Sequence, residues 1–192
     1  QMSRKQLPVT MDGVEDSTGY LFSFAKSLSA ALRNSRYADY CEDIVAASGF
    51  SFRMWVAADL CPSAMSIWSF HMQKPWVENG GLLCGYVERL WGQEDIEEAK
   101  RLEAIEMIKA SIDNGVAAVS WEIGMLEWGL ITGYDDDSRK FTTLAVNGLQ
   151  GELDYDELGK GEIPLLNILT ITGESGKSRE AVIADTLKLA AS

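Results

Sequence analysis

The sequence predicts an α+β domain, with helices in its N-terminal half and a mainly antiparallel sheet in its C-terminal half. Three observations carry that expectation. Apolar residues recur at helical spacing in several segments before residue 113, the period drops to two after Gly115, and helical spacing returns at the carboxy-terminal end. The expected organisation is one domain over 1–192: a mainly helical half at 1–113, a sheet half at 114–172 and a closing helix at 177–191.

Residues 1–16 read as an irregular lead-in with turn chemistry at Met11-Asp12-Gly13 and Glu15-Asp16. From Gly19 to about Arg33, Phe22, Ala25, Leu28 and Leu32 mark one helical face, and Ser17 or Thr18 can cap the first amides. A short helix follows from about Asp39 to Ala47, stopped at Ser48-Gly49, where glycine takes the left-handed conformation at no steric cost. Phe50–Phe70 is crowded with aromatic and small residues and reads as buried, as short strands or a broken helix. Asn79 reads as the cap of a helix whose apolar positions are Leu82, Leu83, Tyr86, Val87, Leu90 and Trp91.

The clearest helix spans Glu94–Ile112. Ile96, Ala99, Leu102, Ile105, Ile108 and Ile112 line its predicted apolar face, with Glu97 and Arg101 paired on the opposite side and Asn114-Gly115 as its stop. Val116–Trp121, Trp128–Tyr134 and Phe141–Val146 alternate as strands, the last two joined by an Asp135–Lys140 turn. Ile163–Thr172 is a further strand and Ser178–Ala191 the closing helix.

Composition narrows the function. The chain is 46% hydrophobic and 24% charged, with a net charge of −12 that repels phosphate backbones and anionic membrane surfaces. Nucleic-acid and membrane roles are therefore not expected, whereas cationic or amine-bearing partners suit the field. No stretch nears the ~18 apolar residues of a membrane helix, and the first residues lack the apolar core of a signal peptide. Cys41, Cys61 and Cys84 fit no zinc or disulfide spacing and read as buried, reduced thiols of a cytoplasmic protein. Neither a metal nor a cofactor is expected. His71 is the single histidine.

The segment Glu127-Trp128-Gly129-Leu130-Ile131-Thr132-Gly133-Tyr134-Asp135-Asp136 resembles the second half of papain-like cysteine peptidase domains of the C39-like kind, and the related butirosin-biosynthesis acyltransferase amino-terminal domain. In those families a strand ending Gly-Tyr-Asp carries the catalytic histidine six residues before its glycine. Ser48-Gly49-Phe50-Ser51-Phe52-Arg53 resembles the acyltransferase branch's Ser-Gly-x-x-Phe-Arg stretch, and Gly115-Val116-Ala117-Ala118-Val119 the strand after its central helix. The similarity runs over residues 10–172. It implies a papain-like fold in which Thr18, beside Ser17, takes the nucleophile's seat, Glu127 the histidine's and Asn147 that of the orienting residue. The resemblance does not carry the chemistry. Papain-type catalysis needs a thiolate activated by imidazole. A hydroxyl and a carboxylate lie many pKa units apart, and each unit costs ~1.4 kcal/mol.

Other patterns read as structural. Gly173-Glu174-Ser175-Gly176-Lys177-Ser178 has the strand-to-helix context of a phosphate loop, but Ile171 stands where the pattern needs glycine, so a turn capped by Ser178 is expected. Asp135-Asp136-Asp137 lacks the glycine and glutamate of a calcium loop. Trp121-Glu122 and Glu127-Trp128 flank a loop at the end of the sheet where the family's cleft opens. Two indoles with two carboxylates there suit an amine or guanidinium; a paired-carboxylate glycosidase would use the same glutamates. Trp55, Trp68, Trp76 and Trp91 read as packing residues.

The favoured expectation is a non-catalytic papain-like domain. It binds a small, amine-bearing ligand or a protein partner in the remnant cleft, which Thr18, Glu127 and Asn147 line with Trp121, Glu122 and Trp128 at the mouth. Two alternatives are an active thiol hydrolase or acyltransferase using His71 with a displaced cysteine, and a structural subunit that pairs with itself as a homodimer.

Overall fold

The computed structural model describes residues 3–11, 22–51 and 70–191. They form a mixed α+β fold around one sheet. Its strands are β1 (Arg4–Gln6), β2 (Leu82–Arg89), β3 (Ala118–Ser120), β4 (Gly129–Asp135), β5 (Lys140–Leu144), β6 (Gln150–Asp154) and β7 (Leu166–Glu174). The spatial order is β2-β7-β3-β4-β5-β6, and every pairing is antiparallel. β3 pairs with Gly129–Ile131 and β1 with Gly133–Asp135, so the two short strands lie end to end along one side of β4.

Five helices of the described residues flank the sheet: α1 (Ser23–Arg33), α2 (Ile44–Ala47), α3 (Gln73–Asn79), α4 (Glu97–Asp113) and α5 (Arg179–Ala191). Strand alternation divides the core. Leu169 and Ile171 of β7, Val119 and Leu130 join Phe24, Leu28, Leu32 and Val77 of α1 and α3 on one face. Ile168, Ala118, Ile131 and Phe141 join Ala104, Ile105, Ile108 and Ile112 of α4 on the other. α1 is enclosed on every side, with all residues from Ser23 to Leu32 buried. That explains its Ala and Ser content, since small side chains let the surrounding layers approach.

Several expectations need correction. Leu82–Arg89 is a strand rather than a helix: Asn79 and Gly80 end α3, Gly81 reverses the chain at φ +97°, and β2 then pairs with β7 along its whole length. Long-range pairing overrides a helical spacing that was only local. The helix opening near Gly19 begins at Ser23, after the extended Phe22; Ser17, Thr18 and Gly19 lie outside the described residues. The 39–47 helix is a 3-10 turn at Ala38–Tyr40 followed by the single turn α2. On α4, Leu102 is 55% exposed and Arg101 turns inward, where Glu97 and the Leu158 carbonyl satisfy its guanidinium. β6, absent from the sequence reading, extends the sheet beyond β5, and β2 interrupts the expected helical half.

Candidate functional site

At the end of the sheet where β4 begins, Ser23 donates its hydroxyl to the Glu127 carboxylate and accepts the Trp128 amide at 3.3 Å. Ser23 is the first residue of α1, so the carboxylate sits beside a helix amino terminus whose dipole favours negative charge. The loop is closed by two backbone bonds, Ile123 N–H to the Glu127 carbonyl at 3.2 Å and Glu127 N–H to the Met125 carbonyl at 2.7 Å. Ser23 is buried and its proton is committed to a weak base, which suits positioning rather than nucleophilic attack.

The residues expected at the cleft mouth are largely spent elsewhere. Trp128 is fully buried and Trp121 is 5% exposed; their ring centroids lie 5.5 Å apart, with Phe70 at 4.8 Å from Trp128 and Phe24 at 5.1 Å from it. These indoles are therefore core, not the walls of an open mouth. Glu122 holds a left-handed backbone, φ 55°, and its carboxylate accepts the amides of Glu162 at 2.5 Å and Ile163 at 3.1 Å. A Cβ on Gly161 would collide with that carboxyl group, so the glycine makes the arrangement possible. Asn147 is exposed in the β5–β6 turn, and its side-chain oxygen accepts the Leu149 amide at 3.1 Å. Thr18 lies outside the described residues.

The thiols offer little to catalysis. Cys84 is buried on β2, and burial first, then the charge of Glu78, pushes its thiol up to about 12. His71 is exposed on the 3-10 turn Phe70–Met72, and Cys41 is a half-buried free thiol. Cys61, Trp55 and Trp68 lie outside the described residues. Among the described residues no three His, Cys, Asp or Glu side chains are grouped to hold a metal ion.

The phosphate-loop-like segment is a structural joint. Lys177 donates to the Asn79 carbonyl at 3.0 Å and pairs with Asp185 at 2.8 Å, while Ser178 accepts the Ala181 amide at the start of α5. The acidic run is also structural: Asp136 accepts bonds from Ser3, Lys109 and Tyr155, and Asp135 caps the turn amides of Asp137 and Ser138.

At the opposite end of the sheet, where β7 finishes, a groove of about 470 Å³ opens between α5 and the Ala38–Ala47 segment. That volume is in the range of small-molecule sites. Ile44 and Ala47 form its floor, Val182, Ile183 and Leu187 of α5 one wall, and Tyr40 the other. Gly80 lies against this floor, where an added Cβ would stand 2.9 Å from the Ile44 methyl and push it aside. The sequence reading missed both Ser23 and this groove. The available signals were the serine on a buried helical turn and the apolar i, i+1, i+5 positions of the last helix, at Val182, Ile183 and Leu187, which have no counterpart nearby in sequence.

Fold and geometry define a mixed α+β domain with an antiparallel seven-stranded sheet among its described residues. The chain matches no protein-family model, no curated protein and no solved structure. Among the described residues no helix is long and apolar enough to cross a membrane.

Proposed function

We propose that this chain is a non-catalytic binding domain of papain-like ancestry whose ligand site is the α5 groove, with the Ser23–Glu127 pair serving as a structural tie. The observation that carries this reading is the groove itself, an open concavity with an apolar floor and charged rim. The opposite end of the sheet supports it by contrast, since Ser23, Glu122 and Asn147 each have their polar groups committed internally. The thiol-enzyme alternative needs a reactive cysteine, and the strongly raised thiol of Cys84 argues against that residue as the nucleophile.

Two measurements on the full chain test the proposal. In a fragment screen read by amide chemical shifts, hits should perturb Tyr40, Ile44 and Val182. Iodoacetamide at pH 7 should modify no cysteine with the rate of an activated thiolate. Hits confined to Ser23 and Trp128, or one cysteine reacting far faster than the others, would overturn it.

A further inference from the structure

We propose that the α5 groove binds a small organic cation: an ammonium group set between Asp39 and Glu174 at the Tyr40 edge, with an aliphatic or aromatic body lying over Ile44 and Val182. This rests on the binding-domain reading and names the ligand chemistry of that same site.

The charge inventory of the rim carries the assignment. Five charged side chains line the groove. Both cations are already engaged: Lys177 with Asp185 and with the carbonyl and side-chain oxygens of Asn79, and Arg179 with Asp43 at 3.2 Å. The carboxylates of Asp39 and Glu174 carry no hydrogen bond or ion pair within the described residues. They come from distant parts of the chain, Asp39 from the 3-10 turn before α2 and Glu174 from the end of β7. Both act on the same side chain. The Tyr40 hydroxyl is raised above the ordinary tyrosine range by burial first, then by the charges of Glu174 and Asp39. Two carboxylates unpaired among the described residues, lining the same groove as Tyr40, form a field that an ammonium would neutralise, and the tyrosine ring offers cation–π attraction.

Shape sets the rest of the ligand. The floor beyond Tyr40 is Ile44 and Ala47, and the α5 wall exposes Ile183 at 50% and Leu187 at 64%. A hydrated inorganic cation would leave this apolar surface uncovered, whereas an organic amine covers it while its charged end reaches the acids. An anion would meet two carboxylates unpaired among the described residues, with Lys177 already paired to Asp185 and Arg179 to Asp43.

The test titrates the full chain with three compounds of like size: 2-phenylethylamine, 2-phenylethanol and 3-phenylpropionate. Groove amides should respond to the amine with the lowest Kd. In an Asp39→Asn/Glu174→Gln double variant that Kd should rise on the order of tenfold, about the effect of two exposed ion pairs. An Asp95→Asn/Glu98→Gln variant, with the same change in net charge at a distance, should leave it unchanged. Preferential binding of the alcohol or the acid, or equal weakening in both variants, overturns the cation assignment and leaves the binding groove standing. Failure of all three compounds and of the fragment set to perturb the groove overturns both readings. Amine-indifferent groove shifts that vary with protein concentration would mark a self-association surface and overturn the cation assignment as well.

Discussion

Arg89 on β2 stands 3.7 Å from Glu97 on α4 while its guanidinium donates to the carbonyls of Pro164 at 2.6 Å and Gly159 at 2.7 Å. At 2% exposure it is a buried cation that joins strand, helix and the loop before β7. Such a group is held by its hydrogen bonds as much as by its ion pair, because desolvation offsets much of the Coulomb gain.

Arg89→Ala should therefore be among the most destabilising single changes, by about 3–5 kcal/mol, since it empties a buried site and leaves the Pro164 and Gly159 carbonyls without their donor, while Glu97 keeps only Arg101 among the described residues. Urea unfolding followed by far-UV circular dichroism checks this. A loss under about 1 kcal/mol would mean that water replaces the guanidinium freely.

Trp128 packs edge-on against Phe24, Phe70 and Trp121 in the layer under α1. Trp128→Ala should cost about 3–5 kcal/mol and Trp128→Phe distinctly less, because the phenyl ring keeps most of the contact area. Thermal unfolding of the two variants ranks them. Were Trp128 instead the wall of an open cleft, its removal would leave stability nearly unchanged.

Asp136 ties the amino-terminal strand, α4 and the β6 end together through Ser3, Lys109 and Tyr155. Burial alone would raise its carboxyl pKa, but the hydrogen bonds from Lys109, Ser3 and Tyr155 outweigh it and hold it below the usual aspartate value. A depressed folded-state pKa contributes stability that is present above pH ~4 and is lost as the pH falls through the folded value. Asp136→Asn should destabilise the chain at neutral pH by about 1–3 kcal/mol and flatten that acid limb. Unfolding at pH 3 and pH 7 measures both; an unchanged acid slope would refute the assignment.

Cys84 should resist alkylation. With its thiol raised to about 12, the thiolate is scarce at pH 8, and burial blocks the reagent. Peptide mapping after a timed iodoacetamide exposure should show Cys41 modified before Cys84, with Cys84 reacting only when denaturant opens the sheet. Early labelling of Cys84 in the native protein would show that β2 opens locally.

What could be read from residues alone followed how local the determining interactions are. α4 and its stop at Asn114-Gly115, the β4–β5 hairpin with its Asp135–Lys140 turn, and the Ser178 cap of α5 all stand close to where the sequence puts them. Each is encoded by periodicity plus a turn or capping residue within a few positions. The candidate site was far less legible. Trp121, Glu122 and Trp128 present the residue types of an amine-binding mouth, yet the two indoles are core and Glu122 braces the 161–163 loop.

By itself, then, the sequence determined an α+β chain, the alternation that makes the β3–β5 and β7 strands, the main long helix and an acidic overall field. Tertiary structure decided that Leu82–Arg89 is a strand, that Arg101 faces inward and Leu102 outward, and that Lys177 pairs with Asp185 and Arg179 with Asp43. The physical reason is range. Helix phase, strand state and charge pairing at those positions depend on Ile171, Leu158, Asp43 and Asp185, residues brought near only when the sheet closes.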